Sequence, residues 1–211
     1  PNRHPFCPAP LDFVSPRHIA DHVEDAETFL DELSEDLQSL PTVWEPLART
    51  TRQGYQTNGN LFRQKKPSIA RLEKIIEAEI AAYRSRIGDA GCLFTEAWPE
   101  KPAITGWSVR LQRGGHQTPH IHSSGWLSGV IYVDLVESDD PDEGAIVFGQ
   151  HGDNYPFINQ DYPRLLHRPQ RGEIVLFPSS LYHHTIPIRR EGERLTVSFD
   201  LVPNRDGDPA G

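Results

Sequence analysis

The sequence predicts an α+β protein, in which two N-terminal helices precede a β-rich half that is typical of a sandwich or a jelly roll. Apolar residues recur at helical spacing in two early segments. From about residue 104 they instead alternate with polar residues or form short β-branched runs. The length of 211 residues fits a single domain. We therefore expect a helical part over residues 1–100, a β-rich part over 101–203 and a flexible tail over 204–211.

The first predicted helix covers residues 16–40, because Ser15-Pro16 is typical of an N-cap followed by a proline in the first turn. Its polar face carries eight acidic residues against Arg17, a net charge of −7 out of −9 for the whole chain. We expect this face to be solvated surface. The apolar stripe consists of Ile19, Val23, Ala26, Leu30, Leu33, Leu37 and Leu40.

The next segment, residues 41–67, contains glycine, asparagine and lysine clusters, which predict a loop. A second helix is predicted over residues 68–87, with Gly88 as its C-cap residue. After it, turn residues separate short segments with the composition of strands. These predicted strands cover residues 107–111, 130–135, 145–148, 174–177 and 195–202.

Charge and composition argue against several function classes. The net charge of −9 disfavours phosphate backbones, so no nucleic-acid partner is expected. No apolar run approaches the roughly 20 residues that cross a membrane, and no secretory signal is visible. Cys7 and Cys92 fit neither a zinc site nor a disulfide scaffold, which favours a reduced, cytoplasmic setting.

Half of the ten histidines fall into two short clusters. In a strand, residues i and i+2 point to one face, so His120 and His122 can approach the same ion. A histidine from the later cluster would complete a facial triangle and leave positions open for substrate and dioxygen. The clusters are His116, His120 and His122, and His183 and His184.

Arg194 follows His183 by eleven residues and opens the last predicted strand. Beside a metal site, an arginine offers a planar, two-pronged grip on a carboxylate. Both features also have purely structural interpretations. A His-X-His pair is common in exposed strands, and an arginine at a barrel rim commonly pairs with Asp or Glu.

Several segments beyond the histidines resemble the 2-oxoglutarate/Fe(II)-dependent oxygenases, above all a prolyl-hydroxylase-like branch of uncharacterised bacterial and phage proteins. The likeness covers roughly residues 50–203. It implies a double-stranded β-helix, which is a jelly-roll or cupin-like barrel, with the N-terminal helices packed on one sheet. It also implies Fe(II) as metal and 2-oxoglutarate as co-substrate. The segments that carry it are the histidine pair running into residues 125–133, residues 171–179, 56–62 and 106–111, and Tyr182-His183 followed by Thr185-Ile186-Pro187 and Arg194.

The resemblance also implies roles for individual residues. His120 matches the first histidine of the family's His-X-Asp/Glu motif, and His183 matches the distal histidine. Arg194 matches the residue that binds the distal carboxylate of 2-oxoglutarate, and Thr196 stands where an Arg-X-Ser pattern has serine. Tyr132 is a weaker candidate for a hydrogen bond to the same co-substrate.

One position departs from the family pattern. His122 stands where the superfamily has Asp or Glu, so the implied metal and catalytic set becomes His120, His122 and His183. Either His122 is a ligand or water completes the shell, because Asp134 is a poor substitute. Trp126 and Tyr155 are candidates for the pocket wall, with core packing as the alternative for each.

The implied activity is hydroxylation of an unidentified small-molecule or peptide substrate by O₂, with 2-oxoglutarate converted to succinate and CO₂. The oligomeric state stays open, a homodimer included. A cupin-type metal enzyme or binding module is the chief alternative, since Gly114 before His120-X-His122 and Pro178 before His183 fit the cupin motifs. A catalytically silent scaffold that binds a partner through the acidic helix is the third. Arg194 favours the oxygenase.

Overall fold

The computed structural model describes residues 6–149, 151–152, 156 and 162–204, so most of the predicted tail over 204–211 lies outside the described residues. The helices are α1 Ala26–Gln38, α2 Pro67–Ile87 and α3 Leu93–Glu96, with short 3₁₀ helices over Pro10–Phe13, Ile19–Asp21 and Leu61–Arg63. The strands are β1 Ser15–His18, β2 Thr42–Trp44, β3 Thr51–Thr57, β4 Ala103–Gln117, β5 Leu127–Asp134, β6 Ile146–Gly149, β7 Arg164–His167, β8 Glu173–Pro178, β9 Tyr182–Thr185 and β10 Arg194–Val202.

The strands form two antiparallel sheets that face each other. A seven-stranded sheet has the order β1-β8-β5-β10-β4-β3-β2, and a three-stranded sheet has the order β7-β6-β9. Between them lies one apolar cluster, to which both sheets contribute. This arrangement is a double-stranded β-helix, so the predicted fold class is confirmed. The buried members of the cluster are Val130, Tyr132, Ile146, Phe148, Val175, Phe177 and Leu181.

The helices cover the outer face of the seven-stranded sheet and bury the largest apolar cluster of the described residues. Strand β10 shows how the sheet divides its side chains, because successive residues of a strand point to opposite faces. On β10, Leu195, Val197, Phe199 and Leu201 pack under the helices, whereas Arg194, Thr196, Ser198 and Asp200 line the interior of the barrel.

None of the described helices is both long and apolar enough to cross a membrane.

The centre of the sheet depends on one close approach between β5 and β10. Gly129 pairs with Phe199 across these strands. A Cβ atom at Gly129 would lie 2.2 Å from Cζ of Phe199, a distance that no side chain tolerates. Glycine at this position therefore lets the aromatic ring cross the neighbouring strand and reach the helical layer.

The prediction of a helix over residues 16–40 is wrong for its first ten residues. Ser15–His18 is the edge strand β1, paired with β8, and an edge tolerates Pro16, which has no N–H to donate. Helix α1 starts only after Asp25, whose carboxylate accepts the N–H of Thr28 at 3.0 Å. Ile19 and Val23 are buried in the same core as α1, which is why their spacing imitates a longer helix.

The prediction of a loop over residues 41–67 is also wrong. Strands β2 and β3 form a hairpin that extends the seven-stranded sheet beyond β4. The register of β3 against β4 shifts between Arg52 and Gly54, and this bulge interrupts the alternation that marks a regular strand. The second helix begins one residue before its predicted start and ends at Ile87, with Gly88 as its C-cap residue at φ 53°.

The acidic face of α1 is not only solvated surface. The guanidinium of Arg171, which precedes β8, binds the carboxylates of Glu27 and Asp31, and its Nε donates to the carbonyl of Val133 at 3.0 Å. These contacts tie the helix to the barrel at one point. The carboxylates of Glu27 and Asp31 are about 70% exposed, so the contribution of each ion pair to stability is small.

Candidate metal and co-substrate site

Three histidines from two parts of the chain meet inside the barrel. His120 and His122 lie between β4 and β5, where His120 forms an isolated β-bridge with His183, rather than in a regular strand as we assumed from their i and i+2 spacing. His120 exchanges two backbone hydrogen bonds of 3.0 Å with His183 on β9, and the N–H of His122 donates to the carbonyl of Ser179 at 3.0 Å. The backbone therefore fixes where all three rings stand. His184, next to His183, is outside the cluster.

Each of the three rings has its Nδ1 turned towards an oxygen. Nδ1 of His120 lies 2.6 Å from the carbonyl of Thr118, and Nδ1 of His183 lies 3.1 Å from the carbonyl of Leu181. Nδ1 of His122 lies 2.6 Å from Oδ1 of Asp200. Carbonyl and carboxylate oxygens accept hydrogen bonds, so each Nδ1 carries the hydrogen and each Nε2 keeps its lone pair.

The lone pairs point into a common space that fits a metal ion. One ligand atom from each ring lies within 4.8 Å of the others. The Nε2 atoms of His120 and His122 are 3.1 Å apart, and two lone pairs at that distance repel each other. Two nitrogens bound at about 2.1 Å and at a right angle to a metal would be about 3 Å apart. A divalent ion would therefore convert a repulsive contact into a stabilising one.

Burial keeps the imidazoles of His120 and His183 neutral. It lowers the pKa of His120 to about 4, with the neighbouring His122 as the next cause. Burial also lowers the pKa of His183 well below the usual value, again with the other histidines contributing. A neutral imidazole is the form that binds a metal, so these two histidines can accept a cation at neutral pH.

A carboxylate that sequence reasoning missed stands behind the histidines. Asp200 on β10 is only 8% exposed, and its Oδ1 accepts hydrogen bonds from His122 and, at 2.6 Å, from the hydroxyl of Ser128. Ser128 in turn lies 2.8 Å from Oγ of Ser179. The alternation of β10 could have indicated Asp200, because it lies six residues after Arg194 and so on the same face of the strand.

A second group of polar residues lines the inner end of a cavity of about 50 Å³ that also includes the three histidines. Arg194 is fully within the barrel, and its Nη1 donates to the carbonyl of Gly144 at 2.7 Å. Its Cζ lies 5.0 Å from the centre of the ring of Tyr132. The hydroxyl of Thr196, which lines the same cavity, is 3.4 Å from the carbonyl of Val109.

Two buried polar atoms of this group have no hydrogen-bond partner among the described residues, namely Nε of Arg194 and the hydroxyl of Tyr132. Burial lowers the pKa of Arg194 and raises that of Tyr132 to about 12. Leaving such groups unpaired in a protein interior is costly, and a buried cation is costlier than a buried hydroxyl. The pair therefore fits an anionic group with free oxygen acceptors, such as a carboxylate.

On its outer side, the histidine cluster opens into a cleft of about 550 Å³. The cleft is lined by polar side chains from the β2–β3 hairpin and its flanks, among them Arg49, Gln56 and Asn60, and by Trp107. The ring centroid of Trp107 lies 5.6 Å from that of His122. The predicted wall residue Trp126 instead stacks on Phe94 in the helical core, and Tyr155 lies outside the described residues.

Comparison with known proteins places this site in a family context. Residues 105–200 match the family model described as "Putative 2OG-Fe(II) oxygenase". The resemblance to 2-oxoglutarate/Fe(II)-dependent oxygenases is thereby confirmed, and the match favours the oxygenase over the cupin alternative. A search of curated protein sequences finds no significant match.

Solved structures with similar folds share 14–16% of their residues with this chain. HygX from Streptomyces hygroscopicus, solved with nickel and 2-oxoglutarate, has 15% identity and a TM-score of 0.62 over 93% of this chain and 88% of its own. A Pseudomonas putida prolyl-4-hydroxylase has 16% identity and a TM-score of 0.58 over 91% and 93%. The Trichoplax adhaerens prolyl hydroxylase, in complex with a hypoxia inducible factor peptide fragment, has 14% identity and a TM-score of 0.62 over 90% and 83%.

Proposed function

From the family match over residues 105–200, we infer that this chain is a non-haem Fe(II)- and 2-oxoglutarate-dependent dioxygenase. The observation that carries the assignment is the pairing of two sites in one barrel. Three histidine nitrogens lie within 4.8 Å of one another, and a buried arginine and tyrosine with unpaired polar atoms line the same cavity. When bound, Fe(II) would supply the oxidative chemistry in which 2-oxoglutarate, O₂ and a C–H group of the substrate are converted to succinate, CO₂ and a hydroxylated product.

We propose that the Nε2 atoms of His120, His122 and His183 hold the metal. The hydrogen bonds at each Nδ1 hold the rings in the tautomer and orientation that this requires. Three protein ligands leave other positions of the metal open, which is the pattern of catalytic rather than structural sites. HygX, with the same fold, is described with nickel or with iron bound.

We assign the distal carboxylate of 2-oxoglutarate to Arg194. The hydroxyl groups of Tyr132 and Thr196 would each donate a hydrogen bond to the same carboxylate. The carboxylate would supply the acceptor that Nε of Arg194 and the hydroxyl of Tyr132 lack. Although Thr50, Gln117, Thr185 and Ser198 also line this cavity, much of its wall is formed by apolar residues, which limit the access of water to the reacting atoms. These wall residues include Val109, Leu111, Val130, Ile146 and Phe177.

The hydroxylated substrate is a peptide or a small molecule that enters through the outer cleft. The solved relatives span both classes, since the Trichoplax enzyme binds a peptide fragment and HygX binds hygromycin B. The cleft of about 550 Å³ has mixed polar walls and offers hydrogen-bonding groups at Arg49, Gln56 and Asn60. This favours a polar group on the substrate beside the C–H bond that is attacked.

The setting of the enzyme is part of the same proposal. The net charge of −9 disfavours a nucleic-acid partner. Both cysteines are free thiols, which supports a reduced, cytoplasmic compartment. Size-exclusion chromatography coupled to light scattering distinguishes a monomer from a homodimer, which is the oligomeric alternative that the sequence leaves open.

Turnover of the co-substrate tests the proposed function. Protein loaded with Fe(II) under reducing conditions is supplied with 2-oxoglutarate and O₂, alone and with pools of amino acids and short peptides, and succinate is measured. We expect slow succinate formation without a substrate and faster formation with a pool that contains one. Metal binding without succinate formation in any pool would favour a cupin-type site, and failure to bind any transition metal would favour a silent scaffold.

A further inference from the structure

We propose that Asp200 is the positioning residue of the metal site and supplies, through His122, the negative charge that an all-histidine ligand set lacks. The inference rests on the proposed function, because it requires a metal at the three histidines. It goes further in assigning a role to a residue outside the ligand set and to its charge. The carboxylate of Asp200 thereby stays close to the metal, although the ligand His122 is itself neutral.

The geometry ties Asp200 to His122 and to no cationic side chain of the described residues. Its Oδ1 lies 2.6 Å from Nδ1 of His122, and no lysine or arginine of the described residues forms an ion pair with it. A carboxylate that accepts the Nδ1 hydrogen holds the imidazole in the tautomer with a free Nε2. It also makes that nitrogen a stronger donor to a metal.

The surroundings hold this carboxylate in one orientation. The hydroxyl of Ser128 donates to the same Oδ1 at 2.6 Å, and Ser128 is completely buried. Gly125 gives the room for this packing, because a Cβ atom there would lie 2.5 Å from Oγ of Ser179 and 3.3 Å from Cγ of Asp200. The loop that follows the histidine pair is therefore shaped around the carboxylate.

Charge explains why such a group matters here. Three neutral imidazoles leave both positive charges of Fe(II) on the site, and the protein interior makes an uncompensated charge costly. The resemblance to the oxygenase family places a carboxylate ligand at position 122. Here a histidine takes that place, and the carboxylate stands directly behind it. Compared with the family pattern, the negative charge lies one side chain further from the metal but is still present.

Metal affinity measured by calorimetry with Co(II) and Ni(II), under anaerobic conditions, tests the proposal. We expect D200N to bind either ion about 10 to 100 times more weakly than the wild type, the range typical for loss of an outer-shell carboxylate. D134N is the matched control, because Asp134 is a carboxylate of the same sheet that bonds instead to Ser34 and Arg171. Its metal affinity should equal that of the wild type.

A double-mutant cycle separates the charge of Asp200 from a structural role. H122D moves a carboxylate into the ligand set, so D200N should cause no loss of metal affinity in that background. An equal loss in both backgrounds, or a D200N protein that binds metal like the wild type, would refute the proposal.

The wild-type protein itself provides a test that does not depend on any variant folding. Long-range ¹H–¹⁵N correlation spectra of the metal-free wild type should show His122 with its hydrogen on Nδ1, and a hydrogen on Nε2 would overturn the proposal. Failure of the proposed function has a different signature, since metal would bind with the predicted dependence on Asp200 while no succinate forms.

Discussion

Replacing Arg194 with methionine gives a sharp test of the co-substrate site, since the substitution keeps much of the volume and removes the charge. In the ligand-free protein the Arg194 guanidinium is buried, and its Nε has no partner among the described residues. Its removal relieves the cost of that burial but also removes the hydrogen bond from Nη1 to the carbonyl of Gly144, so the melting temperature should change little. Binding of 2-oxoglutarate should suffer instead, by about 3 kcal/mol for a buried charged partner, which is about 100-fold in Kd.

The expected melting shifts follow from these figures. At a 2-oxoglutarate concentration of about 100 times the wild-type Kd, binding adds about 2.7 kcal/mol to the wild type and about 0.4 kcal/mol to the variant. For a domain of this size that is about 5–11 °C against about 1 °C. The assay is differential scanning fluorimetry of the metal-loaded proteins with and without 2-oxoglutarate.

Arg110→Met is the matched control for this measurement. Arg110 belongs to β4 and its guanidinium lies over the ring of Tyr55 at 4.8 Å, away from the inner cavity. This variant should keep the full shift with 2-oxoglutarate. The reasoning is refuted if Arg194→Met keeps the wild-type shift, or if it loses metal affinity to the same extent as co-substrate affinity, because either result would make the arginine a structural residue.

Three further predictions follow from the same site. Tyr132→Phe removes a hydroxyl that has no partner in the described structure, so the stability of the ligand-free protein should not fall. In a titration, the binding free energy of 2-oxoglutarate should weaken by about 1 kcal/mol, which raises its Kd roughly fivefold. An unchanged Kd would exclude the hydroxyl from the site. His183→Ala should abolish Co(II) binding in calorimetry, whereas His184→Ala, its neighbour outside the cluster, should keep it; equal losses would contradict the assignment. The pKa of His120 is lowered to about 4, so below pH 6.5 the unfolded chain binds a proton that the folded chain does not. The metal-free protein should then lose about 1.6 kcal/mol of urea-unfolding stability between pH 6.5 and 5 from His120 alone. His120→Gln should reduce this loss, and the loss would be absent if the ring were protonated in the fold.

The sequence predicts the barrel and the histidine cluster for reasons that are local. Strand alternation and turn residues mark the β-rich half, and two histidines at i and i+2 share one direction in any extended chain. The resemblance selects His183 within the later histidine cluster and gives Arg194 its role. The structure brings all three histidines together and places Arg194 in the same cavity.

Features that depend on contacts between distant segments could not be read in this way. Strand β1 escapes detection because Ile19 and Val23 are buried by the same core as α1 and so continue its apparent period. The β2–β3 hairpin escapes because β2 has only three residues, while β3 is mostly polar and carries a bulge between Arg52 and Gly54. Asp200 contacts His122 across 78 positions of sequence, and no local pattern ties the two together.

The most direct measurement of the central claim is an anaerobic titration of the Fe(II)-loaded protein with 2-oxoglutarate, followed by visible absorption. A 2-oxo acid that binds Fe(II) produces a charge-transfer absorption that Fe(II) protein alone lacks. We predict that this absorption rises and saturates in the wild type and requires His120 and His183. Iron that binds to the three histidines but shows no spectral response to 2-oxoglutarate at any concentration would contradict the assignment as a 2-oxoglutarate-dependent dioxygenase.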